Sequence, residues 1–226
     1  PATHMFRSSI VHLKAQAPVP VGVGRLNMAK VQQSMSAAQA AAEANGWTLL
    51  SDSSWPGYSD LSHRLMEGYT VFMAEADRQI SAPTHIFLQA GVGGLAGAAA
   101  AMARKLWGDA PVIVVVEPQY APALHGCIQA GDFVPAKGPG SAMGRLDCLE
   151  ASLIALKGLA KDADVFALIS EEEGQAGADY AAAHQMESTA SGAAGLAALL
   201  ASPAHRAALK LNANSHVLVI LSEGPA

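Results

Sequence analysis

The chain has 226 residues, of which 51% are hydrophobic, 15% charged and 5% aromatic, with a formal net charge of −5. A charged share well below the ~25% of ordinary soluble proteins excludes a charge-driven disordered tail, and the acidic balance leaves no electrostatic footprint for nucleic acid. Cys127 and Cys148 form no CxxC pair, and the longest apolar runs are strand-sized against the ~20 residues of a membrane helix, which points to a reducing, cytoplasmic setting with no membrane.

Residues 1–25 show little periodicity, and "AQAPVPVGVG" reads as a loop. No basic-then-apolar signal peptide opens the chain, and its first methionine is Met5. The expectation is that processing or truncation has removed something ahead of Pro1. "MAKVQQSMSAAQAAAEAN" consists of helix formers and ends at Asn45-Gly46, a C-cap signal. "WTLLSDSSWPGYSD" predicts a short strand over 48–50 that breaks into a loop of Ser, Pro and Gly. "LSHRLMEGYTVFMAEADRQI" predicts a long amphipathic helix interrupted at Gly68.

After Pro83 the pattern becomes regular. "THIFLQA" is a buried strand, "GVGGLAG" a glycine-rich turn and "AAAAMARKLW" a small-residue helix. "PVIVVVEP" is a second buried strand, and "YAPALHGCIQAG" a helix ending at Gly131. "SLIALKGLAKDA" and "VFALIS" repeat the helix-then-strand unit. "YAAAHQMESTASGAAGLAALLAS" is helical in parts, and "SHVLVILSEGPA" is a final strand running into a turn. Short apolar strands alternating with helices predict an α/β fold, a parallel sheet covered by helices in three layers. Alanine and the 21 glycines allow close packing. Each buries little area at about 25 cal/mol per Å2, so the core is expected to be incomplete or to need a partner.

The turn after the first of these strands is the first candidate site. Gly91, Gly93 and Gly94 let backbone N–H groups approach an anion, and the helix N-terminus that follows adds positive potential. A tight strand-to-helix turn with no ligand explains the same residues. Gly91-x-Gly93-x-x-Ala96 also satisfies the dinucleotide pattern, with Glu117 about 20 residues on in the place of the ribose-binding acid. No lysine follows the glycines in Walker spacing, which argues against a nucleoside triphosphate.

"THIFLQAGVGGLAGA", "VIVVVEP", "MESTASGAAGLAAL" and "LVILSEG", taken in order, resemble the C-terminal half of pyridoxal-phosphate enzymes of the tryptophan-synthase-β-like fold, fold type II. Upstream, "NGWTLLSDSSWPGYSD" and "MEGYTVFMAEA" are similar to the diaminopropionate ammonia-lyase branch. The resemblance covers residues 45–226, as the C-terminal part of a large cofactor-binding domain. It leaves 1–44 as a poorly matched lead-in and helix, the remnant of a missing N-terminal part.

The resemblance implies that Gly91, Val92, Gly93, Gly94 and Leu95 cradle the cofactor phosphate. It implies that Ser222 places a hydroxyl against the pyridine nitrogen, where a neutral partner does not hold that nitrogen protonated. Glu187 corresponds to the acid of a segment near the cofactor, and Asp52 to an acid facing the substrate amino group. The implied reaction is elimination of ammonia from 2,3-diaminopropionate, a small amino-acid substrate, giving pyruvate and ammonia in a homodimeric enzyme. Threonine-dehydratase-like and threonine-synthase-like enzymes share the loop and the serine, whereas Asp52, Trp55, Gly57 and Tyr58 favour the diaminopropionate branch. A dinucleotide-binding module stays open as the reading from another class.

The family's chemistry needs a lysine that bonds to the cofactor aldehyde, in a Ser-Phe-Lys type motif upstream of every matched segment. No such motif occurs in this chain. Lys14 and Lys30 lack its context, and Lys105, Lys137, Lys157, Lys161 and Lys210 follow the phosphate turn. The chain alone is therefore expected to hold the cofactor non-covalently and to be inactive. The 8 histidines never occur as HxH, HxxxH or HExxH, so no metal site is expected. His85 and His216 read as structural residues at strand starts, "SEEEG" at 170–174 as a solvated acidic loop, both cysteines as small buried residues, and Met102, Met143 and Met186 as core or rim fillers.

Overall fold

The computed structural model describes residues 28–224, with side chains from residue 37 onward. The loop read over 1–25, and with it Lys14, His4 and His12, lies outside the described residues. The chain divides between Leu49 and Leu50 into two compact units. In the first, α1 (Met28–Asn45) ends as predicted: Gly46 follows it, and the Trp47 N–H bonds back to Ala42 O at 2.8 Å, the reach of a Schellman cap.

No strand forms over residues 48–50, contrary to the sequence reading. Leu50 is 58% exposed, and an extended segment becomes a strand only when a neighbour takes up its backbone groups. In the second unit, residues 51–58 instead close a tight turn. Pro56 and Gly57 occupy its centre, with Gly57 at φ 89°, as a type II turn requires. Trp55 and Tyr58 exchange backbone bonds of 3.0 and 2.9 Å, and their rings stack 4.3 Å apart.

The helix that follows, α2 (Asp60–Asp77), runs unbroken through Gly68. Nothing lies within 4 Å of where a Cβ at Gly68 would stand, so this glycine costs helix propensity without kinking the backbone. Four strands, β1 (His85–Gln89), β2 (Val112–Pro118), β3 (Val165–Ile169) and β4 (Val217–Val219), make one sheet in the order β3-β2-β1-β4. Every pairing in it is parallel. Their connections carry α3 (Gly94–Trp107), α4 (Ala123–Ala130), α5 (Leu153–Asp162), α6 (Glu171–Ala183), α7 (Ala194–Ala201) and α8 (Arg206–Leu209).

Strand alternation splits the core in two. Ile86 and Leu88 of β1, with Ile113 and Val115 of β2, pack on one face against Met73, Ala96, Ala99, Ala103 and Leu159. Phe87, Val114 and Val116 pack on the other against Ala194, Ala197 and Ala198 of α7. Helices thus cover both faces of a parallel sheet, the three-layer α/β architecture expected. Both ring nitrogens of the buried His85 are occupied, by Thr84 Oγ1 at 2.8 Å and Leu209 O at 2.7 Å. Among the described residues no helix is long and apolar enough to cross a membrane.

Residues 170–174 are not a loop. Glu171, Glu172 and Glu173 form the first turn of α6, where the helix dipole favours acids. Ser170 and Glu173 make a reciprocal capping box: Ser170 Oγ accepts from Glu173 N at 3.2 Å, and Ser170 N donates to Glu173 Oε2 at 2.8 Å.

The N-terminus of α5 is capped from far away in sequence. Ser54 Oγ accepts from Ile154 N at 2.9 Å and pairs with Ser152 Oγ at 2.8 Å, while Ser54 O accepts from Leu153 N at 3.0 Å. Ser54 and Ser152 are 2% and 0% exposed, so removing one hydroxyl strands buried donors. Ser54→Ala is expected to lower unfolding free energy by about 1–3 kcal/mol in urea denaturation. A loss within about 0.3 kcal/mol would mean that water or Ser152 alone satisfies the helix.

Candidate functional site

From β1 the chain steps outward through β2 to β3, then returns to place β4 on the other side of β1. The order therefore reverses between β1 and β4, and open α/β sheets form ligand crevices beyond the strand ends at such a reversal. Two of the predicted segments leave those ends. Gly91–Leu95 follows β1, and Ser222 follows β4.

Gly93 sits at φ 98°, and α3 begins at Gly94, so the turn is shorter and the helix earlier than the sequence suggested. The first backbone bond of the helix runs from Gly97 N to Gly93 O at 2.8 Å. The N–H groups of Gly93, Gly94, Leu95 and Ala96 donate to no protein acceptor among the described residues. These are the orphan donors of a helix N-terminus, in a 14-residue helix whose dipole reinforces them.

The glycines are required from behind as well as in front. A Cβ at Gly93 would stand 3.0 Å from Leu124 Cδ1 and 3.2 Å from Ala155 Cβ, and one at Gly91 would stand 3.0 Å from Arg145 O and Cys148 Sγ. Val92 is pinned by its carbonyl, which accepts from Ser152 N at 2.9 Å.

Ser222 is held by a residue that the sequence reading passed over. Gln89, the last residue of β1 and 4% exposed, places Nε2 2.9 Å from Ser222 Oγ, 2.9 Å from Ile220 O and 3.0 Å from Gly192 O. Ser222 N in turn reaches Gly192 O at 3.3 Å. One polar residue closing the apolar run "HIFLQ" is the signal that could have found it. The next residue, Glu223, accepts from Thr189 Oγ1, and Thr189 Oγ1 accepts from Gly192 N at 3.0 Å. Segment 189–192 is thereby fastened beside Ser222. Glu187, just upstream, is exposed and makes no hydrogen bond among the described residues.

Asp52 is exposed, and its carbonyl oxygen lies 3.8 Å from the Cβ position of Gly94, against the start of α3. Its charge reaches two neighbours. Burial, then Asp52, pushes the Tyr69 hydroxyl upward. Burial, then Asp52 and Asp147, pushes the Cys148 thiol up to about 12. Cys148 is only partly buried, a correction to the sequence reading, yet its thiol stays protonated and unreactive. Cys127 is buried and donates to Val134 O at 3.2 Å.

Glu117 corrects the dinucleotide reading. It is 0% exposed, and its carboxylate accepts from Leu124 N and His125 N, both at 2.7 Å, capping α4 from below. Both oxygens are committed inside the protein, so no ribose can meet them. Asp52 and the glycine loop come together; Ser222 stands at the neighbouring strand end; Glu117 supports the loop from within.

Residues 19–223 match the family model described as pyridoxal-phosphate dependent enzyme. The diaminopropionate ammonia-lyase of Salmonella typhimurium is 31% identical over 204 residues, covering 81% of this chain and 50% of that protein. The chain spans about half the length of the curated relatives it matches. Among solved structures, diaminopropionate ammonia lyase from Escherichia coli in complex with D-serine aligns with a TM-score of 0.77 and 26% identity, over 85% of this chain and 52% of that one. The processed form of threonine deaminase isoform 2 from Solanum lycopersicum, 18% identical with a TM-score of 0.71 over 84% of this chain and 52% of that one, shares the fold alone.

Proposed function

The chain belongs to the pyridoxal-phosphate-dependent enzyme family, with a tryptophan-synthase-β-like fold, and on that footing we propose that it supplies the phosphate and ring-nitrogen contacts of an ammonia-eliminating enzyme acting on 2,3-diaminopropionate. The observation that carries this reading is the pairing of unclaimed amides at Gly93–Ala96 with the Ser222 hydroxyl at the adjacent strand end. Four backbone donors on a helix N-terminus suit a dianionic phosphate, and a hydroxyl suits an uncharged pyridine nitrogen.

When bound, the cofactor supplies an electron sink for the negative charge left at the substrate α-carbon. The residues of this chain do the rest of the binding. The loop amides neutralise the phosphate. Ser222 presents a neutral partner, which moderates the sink and favours elimination over transamination. Asp52, exposed and with its backbone carbonyl against the start of α3, offers its carboxylate to the β-ammonium group that distinguishes diaminopropionate from serine or threonine. That last contact favours the diaminopropionate branch over a threonine-dehydratase-like enzyme. Glu187, just before the 189–192 segment beside Ser222, keeps the place near the cofactor that the resemblance gives it.

Calorimetric titration of the cofactor-loaded chain tests the substrate. Asp52→Asn is expected to weaken 2,3-diaminopropionate by about tenfold or more, the worth of a charge-assisted hydrogen bond, and to leave serine within about twofold. Equal weakening of both, or of neither, removes Asp52 from the site. Lys105, Lys137, Lys157, Lys161 and Lys210 are all exposed. Pyridoxal phosphate is therefore expected to bind without the absorbance near ~410–420 nm typical of a lysine-bound cofactor. A borohydride-trapped adduct on any of these lysines overturns that expectation.

A further inference from the structure

Gln89 has an arrangement that packing alone does not explain. Its amide nitrogen has three acceptors within 3.0 Å and only two hydrogens to give, while its oxygen, Oε1, is buried with no donor among the described residues. Turning the amide over would set Oε1 against the carbonyls of Gly192 and Ile220, so those two oxygens dictate which way it points. The fold leaves room for the orphaned oxygen. A Cβ at Gly195 would lie 3.1 Å from Oε1 and 2.9 Å from Phe87 O. A buried acceptor left unsatisfied is a cost, and here it accompanies a donor aimed at a site hydroxyl.

The consequence falls on Ser222. The hydrogen bond that its oxygen makes to a side chain comes from Gln89, which can only donate there. An oxygen that accepts an N–H keeps its own proton for another acceptor. We infer that Gln89 is a positioning residue that commits Ser222 to donating its proton to the cofactor's pyridine nitrogen, and so keeps that nitrogen unprotonated. The inference rests on the cofactor site proposed above. It adds the reason that a serine there acts as a donor only. Gln89 also ties the ends of β1 and β4 to the turn before α7, so the donor's direction is built into three segments at once.

The probe is pyridoxine 5′-phosphate labelled with 15N in the ring, which has no aldehyde and forms no covalent bond to lysine. Its nitrogen shift, followed across pH on the bound chain, reports ring protonation. In the parent the bound nitrogen is expected to titrate at least about one pH unit below the free probe. Gln89→Leu, which removes the amide without setting an oxygen against the carbonyls of Gly192 and Ile220, is expected to raise that titration by about one unit over the parent. Gln89→Met, which only removes the donor, is expected to bring it close to the free value. Ser222→Ala should match Gln89→Met.

Failure to bind the probe by the parent overturns the cofactor site, and this inference with it. A Ser222→Ala shift with both Gln89 variants titrating like the parent overturns the role of Gln89 alone. Where a Gln89 variant loses the probe, competition by inorganic phosphate decides. Phosphate binding kept points to the ring-nitrogen contact and supports the inference. Phosphate binding lost with the probe means that Gln89 merely holds the fold, and overturns it.

Discussion

Gly93→Val is expected to abolish measurable binding of pyridoxine 5′-phosphate and to destabilise the chain by roughly 3–5 kcal/mol. Two physical terms add. A φ of 98° is costly for any residue with a Cβ, and a branched side chain raises the roughly 1–2 kcal/mol that the left-handed region usually costs. The added carbon would also stand 3.0 Å from Leu124 Cδ1 and 3.2 Å from Ala155 Cβ, and both neighbours are 0% exposed, so one of them must shift within the core. Overpacking of that kind costs about 1–3 kcal/mol.

Gly131 is the control. It too is left-handed, at φ 66° and ψ 19°, but nothing lies within 4 Å of its Cβ position. Gly131→Ala therefore measures backbone strain without collision, and Gly93→Ala measures both. In thermal unfolding the Gly93 variants are expected to lie several degrees below their Gly131 counterpart, at about 2–4 °C per kcal/mol for a chain of this size. Equal shifts would show that the wall behind the loop yields. Undiminished ligand binding by a folded Gly93→Val would show that the loop is no phosphate cradle.

Much of the scaffold was legible because it is written locally. Ile86–Leu88 and Ile113–Val116 are continuous apolar runs that only a sheet covered on both faces can bury, and Asn45-Gly46 and Gly131 stop their helices where chain chemistry demands. Most of what stayed hidden depends on long-range pairing. Residues 48–50 have the composition of a strand but do not join the sheet. Ser54 caps a helix whose first residue lies near position 153, and no local pattern connects them. Ser170-x-x-Glu173 was visible as a capping box, yet three adjacent acids drew attention to charge instead of to the serine before them. Among the site residues, the glycine loop and Ser222 could be proposed by resemblance to a family. Gln89 shows locally only as a polar residue closing an apolar strand; its importance comes from Gly192 and Ile220, which lie over 100 positions away.

Glu117 should make stability fall as pH rises, the reverse of what a capping carboxylate usually does. Burial pushes its carboxyl up to about 7 from an ordinary 4.5, and the bonds from Leu124 N and His125 N pull it back only in part. The folded state therefore holds this proton more tightly than the unfolded chain. Its contribution is full below the unfolded value of 4.5 and is lost as pH climbs through about 7. The span corresponds to roughly 3 kcal/mol.

Other carboxylates titrate in the same range, so the informative quantity is the difference between Glu117→Gln and the parent in urea unfolding. At pH 5 the neutral glutamine forfeits one of two amide bonds, and the variant should be about 1–2 kcal/mol less stable. By pH 8 that difference should have moved by about 2.5 kcal/mol in the variant's favour. A difference that stays constant with pH would mean that the carboxylate is not penalised by burial. Movement in the opposite direction would mean that the two amides outweigh desolvation. Leu124, whose amide the carboxylate holds, puts its side chain against Gly93, so Glu117→Ala is expected to loosen the wall behind the phosphate loop and weaken pyridoxine 5′-phosphate without touching it.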